Sequence, residues 1–219
     1  MAALTSKQRQ FLKGRAHALS PVVRIGKGGL TPAIVRETKT ALRAHELIKV
    51  RLELEALMAV SARTLLAPWY TPAQIDAALG SVFAVDTQLI DDGTYFIAAH
   101  GANLVGCGGW SRRKTLFGAG IGHTSEAHST LNPAHDPARI RAFFVDPAHA
   151  RRGIGAALMR HCEQAAADAG FKTMELVATL AGEPLYAASG FAAIEHFEIP
   201  LGGALSMPVV RMSKRIVAS

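Results

Sequence analysis

The sequence predicts an α/β protein in which helices and strands alternate along the chain, and three observations support this. Apolar residues make up 49% of the sequence and charged residues 19%, which is enough apolar surface for a packed core. Apolar periodicity switches repeatedly between the helical spacing and the strand spacing. Basic residues are concentrated in the first quarter of the chain, so a basic segment precedes a nearly neutral body.

This uneven charge divides the chain into two parts. Residues 1–52 contain eleven of the 24 Lys and Arg residues but only two of the 17 Asp and Glu residues. We therefore predict two domains, a small basic one over 1–52 and a larger one over 53–219. Polyanions are expected to be attracted to the basic domain.

Residues 1–52 are expected to form a small α-β-α-β extension. Helical spacing predicts a helix over 6–19, and a short strand follows Pro21. A second helix begins after Thr31, because Thr is a favoured N-cap and Pro32 suits the first helical position. An alternating segment, 47–52, completes the extension as a strand.

The second part of the chain shows the same alternation of elements. Thr71, Pro72 and Gln74 form a capping-box pattern that starts one helix, and Gly170 follows the end of another. The predicted helices are 54–66, 71–79, 153–169 and 184–189. The predicted strands are 95–99, 104–110, 140–145, 173–179, 191–199 and 207–212.

Several classes of protein are excluded by composition and spacing. The two cysteines, Cys107 and Cys162, form no CxxC motif and cannot provide a disulfide framework. His123, His128 and His135 match no metal-ligand spacing, so we expect no metal site. The sequence contains neither a signal-peptide core nor an apolar run of about 20 residues, so we expect a soluble, cytoplasmic protein without a membrane partner.

The segment 140–158 carries the clearest chemical pattern. An apolar strand ends at Pro147, and a turn with two arginines and two glycines, 151–155, leads into an Ala- and Leu-rich helix. The first N–H groups of a helix have no intrahelical partner and lie at the positive end of its dipole. Glycines that leave these groups accessible make the turn suitable for a pyrophosphate. The pattern lacks the third glycine and the acidic residue of a Rossmann site, and the GK[ST] of a P-loop.

Residues 53–219 resemble the GNAT family of N-acetyltransferases. The resemblance is carried by Phe143–Pro147, by Arg151–Ala156 and by Glu183–Phe191. The chain departs from the family at Ala150, where Gln or Arg is usual. The resemblance implies a mixed, mostly antiparallel central sheet flanked by helices, and acetyl-CoA as co-substrate without a metal.

The resemblance also assigns the cofactor-binding residues. The N–H groups of 151–156 are expected to bind the pyrophosphate, and the backbone of 143–145 is expected to pair with the pantothenate arm like an added strand. The residues implied are Phe143, Phe144, Val145, Arg151, Arg152, Gly153, Ile154, Gly155 and Ala156.

Tyr186 is the implied catalytic residue. In the family, a tyrosine placed four residues before a glycine such as Gly190 donates a proton to the leaving thiolate, and a phenol of pKa about 10 is protonated at neutral pH. Direct transfer is expected, with a backbone N–H near Val145 polarising the thioester carbonyl. The base that deprotonates the amine stays open between Glu175, Asp146 and ordered water.

Residues 1–52 resemble the first half of a CRM (YhbY-type) RNA-binding domain. Gly26, Lys27, Gly28 and Gly29 form a turn between a strand and a helix, where the family's GxxG motif contacts the RNA backbone. A complete CRM domain continues with a helix and two strands, whereas here acetyltransferase-like sequence follows. We therefore expect strand 47–52 to serve also as the first strand of the acetyltransferase sheet.

Two functions follow from these patterns. The first is N-acetyl transfer from acetyl-CoA directly to a primary amine of a small molecule or a protein; a covalent route through Cys107 is the less favoured form of this reaction. The second is binding to RNA or the ribosome through the basic N-terminal segment. The 69–74 region and the 111–137 loop are expected to build the acceptor pocket, because loops over a rigid sheet tend to set specificity.

Overall fold

The computed structural model describes residues 53–79, 81–100, 103–117 and 129–216. The chain divides into two units, Met1–Val50 and Arg51–Ser219, and all the described residues belong to the second. The elements predicted within 1–52, including the turn at 26–29 and the shared strand 47–52, lie outside the described residues, as do His123 and His128. The domain boundary after residue 52 stays a prediction.

Six strands of the described residues form one sheet in the order β1-β2-β3-β4-β6-β5. All neighbouring pairs are antiparallel except β3 and β4, which are parallel. This confirms the predicted mixed, mostly antiparallel sheet. The strands are β1 Tyr95–His100, β2 Asn103–Ser111, β3 Ala138–Val145, β4 Thr173–Thr179, β5 Ala192–Gly202 and β6 Leu205–Arg215.

Four helices of the described part lie within one residue of the predicted ranges, and one helix is not predicted. The unpredicted helix, α3, has five residues and begins where the Asp86 carboxylate accepts a hydrogen bond from the Leu89 N–H. A 3₁₀ turn, Pro147–His149, precedes α4. None of the described helices is long and apolar enough to cross a bilayer. The helices are α1 53–65, α2 Pro72–Ala78, α3 Thr87–Asp91, α4 Ile154–Asp168 and α5 Glu183–Ala188.

Strands β5 and β6 are longer than their apolar periodicity predicts. Gly202 and Gly203 have φ angles of 99° and 58°, a left-handed conformation that glycine adopts without steric cost. They join the strands in a tight turn, and pairing therefore continues to Gly202 opposite Leu205.

Helices cover both faces of the sheet, as strand β6 shows. Val210 and Met212 belong to a buried cluster with Met159 and Cys162 of α4. Met207 and Val209 belong to a second cluster, together with residues of α1 and α2. Because successive strand side chains point to opposite faces, α4 lies on one face and α1 with α2 on the other.

The parallel pair β3 and β4 stays together over a short distance only. Ala138, Arg139 and Ile140 pair with Met174, Glu175 and Leu176 in that order. Beyond Ile140 the strands separate, so the rest of β3 has no strand partner on this side among the described residues. A β-bulge adds to the separation, since Ala142 and Phe143 together lie opposite the single residue Gly108 of β2.

Tyr70 connects the loop after α1, through hydrogen bonds, to β6 and to the end of β4. Its buried hydroxyl donates to the Pro208 carbonyl at 2.7 Å and accepts from the Leu180 N–H at 2.8 Å. Leu180 directly follows β4 and Pro208 lies in β6. One phenol thus satisfies two backbone groups from two elements.

We expect Tyr70→Phe to lower the free energy of unfolding by about 1–3 kcal/mol, because two buried backbone groups lose their partner. Tyr95→Phe is the matched control: the buried Tyr95 hydroxyl has only the Cys107 thiol beside it, so its loss is expected to cost less. Urea unfolding of the two variants measures the difference. Equal losses of stability would contradict this account of Tyr70.

Candidate active site

A cavity of about 590 Å³ opens where β3 and β4 separate. Its walls come from α1, from the loop before α3, from β3, from the start of α4 and from α5. Of the residues assigned in the sequence, Phe143, Phe144, Val145, Arg151, Gly153, Ile154, Gly155, Ala156 and Tyr186 line this one cavity. Arg152 is exposed outside the lining.

The bulge in β3 gives the cavity its backbone wall. Ala142 has a φ of 58°, which is strained for a residue with a side chain. The Cys107 thiol lies 3.8 Å from the Ala142 carbonyl, within donating distance for sulfur. Gly108 is required opposite the bulge, because a Cβ there would lie 2.6 Å from the Phe143 ring. These neighbours hold the bulge in place.

Ser61 is hydrogen-bonded to one backbone N–H group of this wall. The Val145 N–H donates to Ser61 Oγ at 3.3 Å, and Ser61 itself is buried on α1. The hydroxyl and the N–H are 84 residues apart in sequence. An incoming carbonyl therefore takes the Val145 N–H only by displacing the serine hydroxyl.

The start of α4 forms a cradle of backbone N–H groups. Gly153, the N-cap, has a φ of 82° and makes no side-chain capping bond, and the preceding Arg151 also has a positive φ of 62°. The first hydrogen bond of the helix runs from the Ala157 N–H to the Gly153 carbonyl at 2.9 Å. Residues 154–156 therefore have no intrahelical acceptor for their N–H groups.

The two glycines of the cradle have different structural reasons. A Cβ at Gly153 would meet nothing within 4 Å, so glycine is favoured there by its left-handed φ. A Cβ at Gly155 would lie 2.9 Å from Leu185 Cδ2, so glycine there lets α5 pack against α4. The sequence interpretation, in which both glycines only clear access to the N–H groups, is too simple.

The charge at the cradle is positive. Arg151 and Arg152 are exposed, and neither forms an ion pair within the described residues. Asp146 forms no ion pair with either arginine in the described part of the chain; its carboxylate accepts from the Ala148 N–H and contacts His149 Nδ1 at 2.9 Å. The free guanidinium groups add to the partial positive charge of the helix start, which favours an anion.

Tyr186 lies in the cavity wall beside the bulge. Its ring packs edge-on against Phe143, with centroids 6.2 Å apart, and against Phe191 at 6.1 Å. Burial raises the pKa of the Tyr186 hydroxyl well above its ordinary value, with a further contribution from Cys162. The phenol is therefore protonated throughout the neutral and mildly alkaline range.

Neither carboxylate considered as a base lines the cavity. Glu175 is buried in ion pairs with Arg139 and Arg211, which leaves it no access to a substrate. Asp146 caps the 3₁₀ turn before α4. Ordered water therefore stays as the acceptor of the amine proton among the three alternatives.

The two cysteines are unsuited to covalent chemistry. Both are buried, and burial raises the pKa of Cys107 to about 11 and that of Cys162 to about 12. A thiol is a poor nucleophile compared with a thiolate. Within the described residues, no group of His, Cys, Asp and Glu is arranged to hold a metal.

The sequence interpretation missed a buried ion pair in the cavity wall. Arg141 Nη2 lies 3.0 Å from Asp86 Oδ2, and both side chains are about 5% exposed. Burial lowers the pKa of Arg141, while the carboxylates of Asp86 and Asp92 oppose that shift. Asp86 is recognisable in the sequence only as an N-cap, because its arginine partner is 55 residues away.

Two family models match the chain. The CRS1/YhbY (CRM) domain matches residues 4–66, and the acetyltransferase (GNAT) family matches residues 55–191. An RNA-binding protein of Haemophilus influenzae is 54% identical over 52 residues, which are 24% of this chain and 52% of that protein. The probable RNA-binding protein YqeI of Bacillus subtilis is 47% identical over 47 residues, 22% of this chain and 49% of that protein. The chain thus spans about half the length of these curated relatives.

Solved structures with the same fold are acetyltransferases. A GCN5-related N-acetyltransferase from Rhodopseudomonas palustris superposes with a TM-score of 0.54 at 19% identity, covering 74% of this chain and 86% of that one. The PaiA N-acetyltransferase from Thermoplasma acidophilum, solved in complex with coenzyme A, gives a TM-score of 0.52 at 13% identity, covering 77% and 94%. Together with the family match over most of the larger unit, this fold shows that the chain belongs to the GNAT acetyltransferase family.

Proposed function

We propose that the chain transfers an acetyl group from acetyl-CoA directly to a primary amine. The observation that carries this proposal is one cavity that joins three features: the N–H cradle of α4, the edge of β3 that has no strand partner in the described part of the chain, and the buried phenol of Tyr186. Each feature serves a different part of the same thioester molecule.

The cavity residues fit this substrate. The N–H groups of 154–156 and the Arg151 guanidinium would hold its diphosphate, because both present positive charge to an anion. The backbone of 143–145 would bind the amide-containing arm, since this edge of β3 has no strand partner among the described residues. Val145 would exchange its bond with Ser61 for one with that arm.

Tyr186 and the β3 backbone would perform the chemistry. Bound acetyl-CoA supplies an activated acetyl thioester. A backbone N–H of the bulge polarises the thioester carbonyl while the neutral amine attacks its carbon. Tyr186 then donates its proton to the sulfur as the carbon–sulfur bond breaks, and regains a proton from solvent. Water takes the proton that the amine loses.

A second function rests on the N-terminal match rather than on the cavity. We propose that residues 4–66 bind RNA, because that segment matches the CRM domain and its relatives are RNA-binding proteins. Gly26, Lys27, Gly28 and Gly29 are the proposed contact residues. The concentration of basic residues in 1–52 supports binding to a phosphate backbone.

Acetyl-CoA at about 100 times its Kd is expected to stabilise the full chain by about 2.7 kcal/mol. Arg151→Glu is expected to weaken this affinity about tenfold, or about 1.4 kcal/mol, because it places a negative charge beside the diphosphate. Arg160→Glu is the matched control on the same helix, where the residue is exposed and outside the cavity. Isothermal titration measures the affinities, and equal losses for both variants would argue against the cradle.

Tyr186→Phe is expected to lower kcat about 100-fold or more while the Kd for acetyl-CoA changes less than about twofold. The isosteric Tyr95→Phe, outside the cavity, is expected to leave kcat unchanged. Because the Tyr186 pKa is raised, the acid form persists as pH increases, and kcat should show no decline from this group below about pH 10. Full activity of the Phe variant would exclude the proposed proton transfer.

For the RNA function, fluorescence anisotropy with a labelled RNA hairpin is expected to show binding that weakens steeply with salt. Lys27→Glu should reduce the affinity several-fold, because it repels the backbone phosphate at the glycine-rich turn. Lys172→Glu, an exposed change in the acetyltransferase unit, is the charge-matched control. Binding unaffected by Lys27→Glu would remove that turn from the interface.

A further inference from the structure

We infer that the acceptor is a monoamine with an apolar body, and that the Asp86 carboxylate holds its amino group. This inference rests on the proposed acetyl transfer and names the substrate class of the same cavity. Three observations on the described residues carry it: the order of sites along β3, the composition of the far wall and the placement of one carboxylate.

The order of residues along β3 fixes the end at which the acceptor enters. The cradle follows the C-terminal end of the strand, so the thioester arm would run from the α4 turn back along 145–143. Its reacting end then lies at the bulge. The amine must approach from the other side, where Arg141 and Ala142 line the cavity.

Arg141 contacts the Thr115 carbonyl, so the segment that contains Phe117 lies on that side, and Phe117 packs in one apolar cluster with Leu66, Val82 and Phe83. We call the wall on that side the acceptor chamber, and its apolar residues are Leu65, Leu66, Trp69, Val82, Phe83 and Phe117. Phe83 is fixed by an edge-on contact with Phe144 of β3, with ring centroids 5.6 Å apart. Aromatic and branched side chains of this kind favour an apolar ligand, because its burial removes apolar surface from water.

Asp86 is the one acidic residue in the described lining of the cavity, and no histidine or lysine occurs there. One carboxylate oxygen accepts from the Leu89 N–H at 3.2 Å and the other contacts Arg141 at 3.0 Å. A carboxylate offers about four acceptor positions, so Asp86 retains capacity for an N–H of the amine. Its two existing bonds fix its direction.

Arg141 explains why the acceptor carries a single amine. Its guanidinium already bonds to Asp86, to the Gln88 side chain at 3.3 Å and to the Thr115 carbonyl at 3.5 Å. The charge of Asp86 is thereby balanced, and Asp92 beside it is bonded to Arg113 at 2.6 Å. A second ammonium group would meet no further carboxylate in the described lining, and an acidic acceptor would find Arg141 engaged.

The inference is tested with amines of different bodies on the full chain with acetyl-CoA. 2-Phenylethylamine is expected to give a kcat/KM at least tenfold above those of ethanolamine and 1,4-diaminobutane. Equal or better rates with the two polar amines would overturn the inference, as would a preference for octanoyl-CoA over acetyl-CoA, which would assign the acceptor chamber to an acyl chain. Transfer to none of the three amines, with acetyl-CoA still stabilising the chain, would also overturn it, whereas absence of that stabilisation would instead contradict the proposed function itself.

Asp86→Asn tests the residue, because asparagine retains the helix cap but loses the charge. We expect the KM for 2-phenylethylamine to rise about tenfold or more, with the Kd for acetyl-CoA within twofold. Asp76→Asn, which removes a carboxylate from an exposed pair with Arg63, is the matched control and should change neither value. Titration of 2-phenylethylamine into the CoA-bound chain gives a second readout that needs no turnover, and an unchanged affinity in Asp86→Asn would refute the role of Asp86. If that variant does not fold, the amine panel on the unaltered chain decides.

Discussion

The separation of β3 from β4 beyond Ile140 is the constraint on which the rest of the site depends. A parallel pair that continued would satisfy the backbone groups of β3 and fill the space now occupied by the cavity. Buried backbone groups need partners, and Ser61 supplies one to the Val145 N–H at this edge. The same opening is lined by the start of α4, which carries the cradle, and by α5, which carries the phenol.

Two glycines allow the close packing that maintains this opening. Gly108 lets the Phe143 ring lie against β2, and Gly155 lets α5 approach the start of α4. Phe143 of β3 in turn packs against Tyr186 of α5, so the position of the phenol depends on Gly108 of β2. A left-handed φ at Ala142 costs about 1–2 kcal/mol, and the packing around it provides the compensation.

The N–H cradle at one end of the cavity could be predicted from the sequence because its determinants are local. The strand, the turn and the start of α4 lie within about twenty consecutive residues, and glycines and arginines identify them. The 69–74 region and the 111–137 loop are expected to build the acceptor pocket, and Trp69 and Phe117 from these segments do line the cavity. The polar contacts of the cavity wall could not be predicted, because Ser61 meets Val145 and Asp86 meets Arg141 across 84 and 55 residues. The short helix α3 was missed for a related reason: five residues show no helical periodicity, and a side-chain cap defines its start.

Helix α1 lies where the two family matches overlap. Residues 55–66 fall within both family matches, although the CRM match begins at residue 4 and the GNAT match ends at residue 191. In the structure, Ser61, Leu65 and Leu66 of this overlap line the acetyltransferase cavity. A fragment that ended at residue 66 would contain these residues without the rest of the cavity. A fragment that began after residue 66 would lack Ser61, the partner of the Val145 N–H. The overlap therefore contributes to the cavity wall, and a fragment that keeps this wall intact has to begin before α1.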